Sequence, residues 1–192
     1  TEMDGIVVNG MSNYARNSRW SNSALVVTVN SGSDFGTENV LNGLDFQHEI
    51  EQKAYKMSCE MATGRELPAM TVGEFLKGKI DDKVELPKTS SPSGIFKADL
   101  AKIFPEFIVN HLKTALQEFN KNMAGFTYDD ALLIAPETRT SAPVTILRDK
   151  ESLESTSHSG LYPCGEGAGY AGGITSAAVD GVKVVESILS SR

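Results

Sequence analysis

Gly165-Glu166-Gly167-Ala168-Gly169-Tyr170-Ala171-Gly172-Gly173 is the stretch on which the fold of this chain turns. Its glycines remove Cβ atoms where a ligand could approach the main chain, and they permit the positive φ angles of tight turns. A short apolar strand candidate, 161–164, precedes the run, and a segment of helical periodicity, 175–190, follows it. In that segment Ala178, Val182, Val185 and Leu189 step by four, three and four, and Ala177 and Val184 widen the stripe. The stripe predicts a helix that packs on something. The first turn of such a helix aims free N–H groups and the positive end of its dipole at an anion or a carbonyl oxygen. Gly167, Gly169 and Gly172 even satisfy G-x-G-x-x-G, the dinucleotide fingerprint. Position argues against that label. A true fingerprint opens a βαβ unit with a second strand and an acidic residue about 20 residues on, and no strand follows this helix candidate.

Working outward, the 192 residues are 40% apolar and 22% charged, an ordinary globular composition with room for one good core or two small ones. The net charge of −7 and the absence of a Lys/Arg cluster weigh against a nucleic-acid or anionic-membrane surface. No apolar stretch reaches the roughly 18 residues of a membrane span, and the N-terminal residues lack a signal-peptide pattern, so a cytoplasmic location is expected. Cys59 and Cys164 are the only cysteines, which supports neither a disulfide framework nor a four-ligand zinc site. Thr1 stands directly before an apolar run, as in a piece of a longer polypeptide or a processed chain.

Residues 5–9 and 23–29 read as strands, rich in Val with Ile or Leu and bounded by Gly, Asn and Ser. The polar loop between them carries Ser12, Tyr14, Arg16, Arg19 and Trp20, either a binding loop or a solvated connector. Phe46, Ile50, Ala54 and Met57 predict a helix over 44–61, with Glu49, Glu51, Lys53 and Lys56 on its other side. Thr71 with Glu74 three residues on predicts a short capped helix, and 78–94 reads as a surface loop. Pro105 begins a helix to about Met123 with Phe107, Ile108, Leu112, Ala115, Leu116 and Phe119 at helical spacing, and Gly125 stops it. Residues 131–135 and 144–147 are further strand candidates.

Three scattered histidines, 48, 111 and 158, make no metal motif, so no metal is expected. The pairs Asp81-Asp82 and Asp129-Asp130 read as turn and cap residues. No catalytic set is legible. Cys164 reads first as a small buried side chain. Glu166, an acid between two glycines, suits a ribose or ribitol hydroxyl. Glu137, Arg139 and Thr140 form a polar cluster in a connector stiffened by Pro136 and Pro143, where Arg139 pairs with Glu137 or faces a ligand.

Glu137-Thr-Arg-Thr-Ser-Ala-Pro-Val-Thr-Ile-Leu-Arg148 and Gly160-Leu-Tyr-Pro-Cys-Gly-Glu-Gly-Ala-Gly-Tyr-Ala-Gly-Gly-Ile-Thr-Ser-Ala-Ala-Val-Asp-Gly181 together resemble the C-terminal part of bacterial FAD-dependent dehydrogenases, similar in plan to the larger glutathione-reductase-like flavoproteins. Asn9-Gly-Met-Ser-Asn-Tyr-Ala-Arg16 and Asn22-Ser-Ala-Leu-Val-Val27 extend the resemblance over nearly the whole chain. It implies a mixed α/β (α+β) fragment: an inserted substrate-type domain over 1–150, then over 151–192 the closing strand, glycine turn and helix of a Rossmann-like FAD domain. It also implies cofactor contacts from Gly165, Glu166, Gly167, Gly172, Gly173 and Ile174, with Arg139, Ser12 and Arg16 on the substrate side. The missing fingerprint half leads us to expect weak or absent FAD binding and no turnover by these residues alone. NAD(P)H as redox partner, a small-molecule substrate and homo-oligomerisation through the last helix are further expectations. A non-catalytic nucleotide- or partner-binding domain is the alternative reading.

Overall fold

A computed structural model describes residues 2–190. Two compact units divide the chain: the residues up to Asn30 with Gln47–Thr138, and Ser31–Phe46 with the residues from Arg139 on. Helices and a small sheet make up a mixed α+β fold, as the sequence predicts.

The first unit is organised on a three-stranded sheet of order β2-β1-β3. β1 (Leu67–Thr71) lies parallel to β2 (Ile95–Lys97) and antiparallel to β3 (Leu132–Ile134). The registers place Pro68 opposite Phe96, and Met70 opposite Leu133. β3 falls inside the predicted 131–135, whereas β1 and β2 escape the sequence reading. Pro68 argues against a central strand because it brings no N–H to the ladder, and β2 is only three residues long. Met70, Phe75, Leu100, Ile103 and Leu116 are buried around this sheet. Each contributes about 1.5–3 kcal/mol by leaving water.

α1 (Asn42–Met61) begins two residues before its predicted start and buries Ile50 and Ala54. Glu51 overturns the expected polar face: it is 1% exposed, and its carboxylate accepts a 2.5 Å bond from the Thr138 hydroxyl. Residues 51, 54 and 58 share one side by helical spacing, and Ser58 is likewise buried, donating to the Glu66 carbonyl at 2.9 Å. α2 (Val72–Lys77) has the predicted capping box, and Gly78 ends it at φ 68°. α3 (Glu106–Asn122) starts behind Pro105 and buries Ile108, Val109 and Leu116. Gly125 stands three residues past its end at φ 91°, with its N–H on the Asn120 side chain.

Four predicted strands form no sheet ladder. In 5–9 three amides pair singly, Gly5 N–H with the Glu2 carbonyl at 3.3 Å, Ile6 N–H with that of Glu51 at 3.1 Å and Val8 N–H with that of Pro136 at 2.8 Å. Residues 23–29 are non-helical and have no strand beside them among the described residues. In 144–147 and 161–164 the backbone bonds run to irregular neighbours instead. Strand propensity needs a partner row to become a strand, and these segments have none here. No helix among the described residues is long and apolar enough to cross a membrane.

Candidate functional site in the glycine turn

The second unit carries the glycine run at the start of α4 (Ile174–Ser190). Arg148 is the residue that shapes it. Its guanidinium forks onto the Asp180 carboxylate, Nη1 to Oδ2 at 3.0 Å and Nη2 to Oδ1 at 2.7 Å. Nη1 also donates to the Pro163 carbonyl at 2.7 Å, and the guanidinium lies 3.7 Å from the centre of the Tyr170 ring. Such a planar fork satisfies two acceptors and an aromatic face together. The Tyr170 hydroxyl returns to the same segment, donating to the Ile146 carbonyl at 2.9 Å and accepting the Arg148 N–H at 3.1 Å.

Asp180 then ties the turn to the helix, because its Oδ2 accepts the Gly165 N–H at 2.9 Å. The Arg148 fork, followed by this N–H bond, holds the Asp180 carboxyl below its usual pKa, and Asp180 in turn raises that of Arg148. Gly165 at φ 70° and Gly169 at φ 82° occupy the left-handed region. Gly169 has a second reason to be glycine: a Cβ there would lie 2.6 Å from both the Thr145 hydroxyl and the Val144 carbonyl. Gly167 and Gly172 differ, since a Cβ on either would meet nothing within 4 Å.

Of the predicted cofactor residues, Gly165, Glu166, Gly167, Gly172, Gly173 and Ile174 all fall in this turn and the first residue of α4, and all but Gly165 are exposed. The Gly173 N–H is taken by the Ser176 hydroxyl at 3.1 Å. Helix geometry leaves the N–H groups that follow it without intrahelical acceptors. Arg139 is exposed in the same unit, while Ser12 and Arg16 are exposed in the first. Cys164 is exposed, not buried: Pro163 and Gly165 on either side take the buried places.

α4 also corrects its predicted packing face. Val182, Val185 and Leu189 are exposed, as are Ile174 and Val179, while Val184 is buried and Ala177, Gly181 and Ile188 are half-buried. Both stripes are apolar, so periodicity alone could not choose between them. Asp180 made the choice, because its bond to Arg148 turns its own side of the helix inward. Sequence reasoning passed over Arg148, Tyr170 and Asp180; the one legible signal was a lone acid in an otherwise apolar stretch of helix.

Elsewhere, His48 lies 3.0 Å from Glu2 and 3.9 Å from Asp4, and Gln52 donates to Asp4 at 2.7 Å. Glu2 and Asp4 are exposed and His48 and Gln52 half-buried, and these groups satisfy one another.

Residues 1–140 match the family model described as FAD-dependent protein, C-terminal domain-like. The chain belongs to that family. The glycine turn lies beyond the matched residues, but a second likeness includes it: an uncharacterized protein of Clostridium beijerinckii is 43% identical over 189 residues, 98% of this chain. The chain spans only about a third of that relative, 34% of its length.

Within this family member the turn separates two kinds of glycine, and substitution should reveal them. Gly169→Ala is expected to destabilise the second unit by about 2 kcal/mol, from a left-handed alanine pressed against Thr145. Gly172→Ala should stay within about 0.5 kcal/mol of the parent. Denaturant titration of both variants reads the difference. Equal midpoints would mean that Gly169 is not held where it is described.

Proposed function

We propose that the chain is the C-terminal portion of an FAD-dependent oxidoreductase of the dehydrogenase type, similar in plan to the glutathione-reductase-like flavoproteins. In this reading it supplies substrate-side surface and the closing contacts to the flavin. The family membership supports association with FAD. The observation that carries the site is the exposed, Cβ-free backbone of Gly172 and Gly173 at the start of a 17-residue helix. A ring oxygen that gains negative charge on reduction suits N–H groups at the positive end of a helix dipole. Exposed Glu166 is suited to accept from ribitol or ribose hydroxyls. These residues fit the closing side of a flavin. FAD, when bound, supplies the hydride or electron chemistry; the chain's own groups bind and orient it.

The division into an inserted domain over 1–150 and a closing segment over 151–192 belongs to the same proposal, as do a small-molecule substrate and NAD(P)H as redox partner. Arg139, Ser12 and Arg16 are proposed to face the substrate. The exposed stripe of α4 is read as the face that the remainder of the flavin domain covers.

Desalting separates this reading from its rivals. The 192-residue chain is expected to lose any flavin absorbance band on a desalting column, while the full-length C. beijerinckii relative keeps it. Valine at that relative's equivalent of Gly172 should release the flavin without lowering the melting temperature. A colourless full-length protein, or one indifferent to that valine, would remove the basis for the site. A band that stays with the 192 residues would show the site to be complete within them.

A further inference from the structure

Residues 23–29, Ser-Ala-Leu-Val-Val-Thr-Val, have the composition of a strand and lack a sheet. Three valines, a threonine and a leucine among the seven give strong β propensity. Leu25, Val27 and Val29 are half-buried in alternation with exposed Ala24, Val26 and Thr28, which is the period of a strand. Val26 is 63% exposed, so apolar side chains point both ways. That is the pattern of a strand covered on both faces, not of a solvated loop. Among the described residues, no hydrogen bond engages the backbone of 23–29. A row of unpaired N–H and C=O groups on β-prone residues is a template for strand addition.

We infer that residues 23–29 add as a β-strand to the open edge of a sheet in the part of the longer polypeptide that the 192 residues do not cover. The relative's length supplies the candidate partner, since about two thirds of it lies outside the match. A second copy of this chain fits less well. Pairing 23–29 with itself would cover the edges but leave the Ala24, Val26 and Thr28 face in water. The inference rests on the proposed flavoprotein reading only for the identity of the sheet, and strand addition needs no bound FAD.

Hydrogen exchange followed by mass spectrometry tests it on the 192-residue chain and on the full-length C. beijerinckii relative, each with and without added FAD. The amides of 24–29 are expected to exchange at near-unprotected rates in the 192 residues. At the equivalent positions of the relative they should slow by about 100-fold or more, with or without FAD. Val26→Pro should leave the melting temperature of the 192-residue chain unmoved, because its N–H donates to nothing there, while the same change in the relative abolishes the protection. Fast exchange in both proteins overturns the inference. So does concentration-dependent protection in the 192 residues, which would identify a second copy as the partner, or protection there at every concentration. Protection in a relative that binds no FAD would uphold the strand and sink the flavin reading alone. A flavin-bound relative with fast exchange at these positions would do the reverse.

Discussion

Arg148→Ala is expected to weaken the second unit by about 3–5 kcal/mol, the penalty of leaving one member of a buried ion pair without its partner. Both side chains are largely out of water, Arg148 at 10% exposure and Asp180 at 14%. The substitution also strips the Pro163 carbonyl of a donor and the Tyr170 ring of its cation. The Gly165 N–H would still reach Asp180, but the carboxylate would have lost its counter-charge. Arg148→Lys keeps the charge and loses the fork, so an intermediate loss is expected. In a double-mutant cycle with Asp180→Ala, the second removal should cost less than the first, with a coupling of about 2 kcal/mol. Denaturant unfolding, with exchange at 161–180 as the local readout, measures both. An Arg148→Ala protein within about 0.5 kcal/mol of the parent would show that the pair does not hold the turn.

Glu74→Ala is expected to be nearly as damaging to the first unit, at about 3 kcal/mol. The Glu74 carboxylate is buried at the start of α2 and serves three residues. One oxygen takes the Lys97 ammonium at 2.8 Å and the Asp81 N–H at 3.0 Å; the other takes the Thr71 hydroxyl at 3.0 Å and its N–H at 3.2 Å. Burial pushes its pKa up, but the Lys97 ammonium, the Asp81 and Thr71 N–H groups and the Thr71 hydroxyl outweigh it and hold the value at about 2. The ordinary value is 4.5, so the folded state prefers the ionised form. Its stabilisation is present in full above pH 4.5 and is lost as pH falls from there toward 2. Glu66, also held at about 2 by the Thr63 N–H and hydroxyl, acts in the same direction. Melting temperatures from pH 6 down to 2.5 should therefore fall more steeply for the parent than for Glu74→Gln, whose amide does not titrate. Parallel curves would remove Glu74 as the acid-sensitive group.

The capped helix shows why one part of this arrangement was legible and another was not. Thr71 and Glu74 are three residues apart, so the capping box is a local pattern that any reader of the sequence meets. Lys97 and Asp81 reach the same carboxylate from elsewhere in the chain, and nothing near Glu74 announces them. Glu51 fails in the same way: among Glu49, Lys53 and Lys56 it looks solvated, and only the distant Thr138 hydroxyl explains its burial.

By itself the sequence determined the four α-helices of the described residues to within about two residues at either end, the class of fold, the capping box and the glycine turn before α4, because these are set by spacings of a few residues. The glycine run, with the segments around it, also carried the resemblance to flavoproteins. Tertiary structure alone decided which valine stripe of α4 turns inward, that Arg148 and Asp180 build the turn, and that 5–9 and 23–29 remain strands in propensity only. The first two depend on a partner far away in the chain, and the third on the lack of a neighbouring strand among the described residues. A helix with two apolar faces, or a strand without a neighbouring edge, holds no information about which contact it will make.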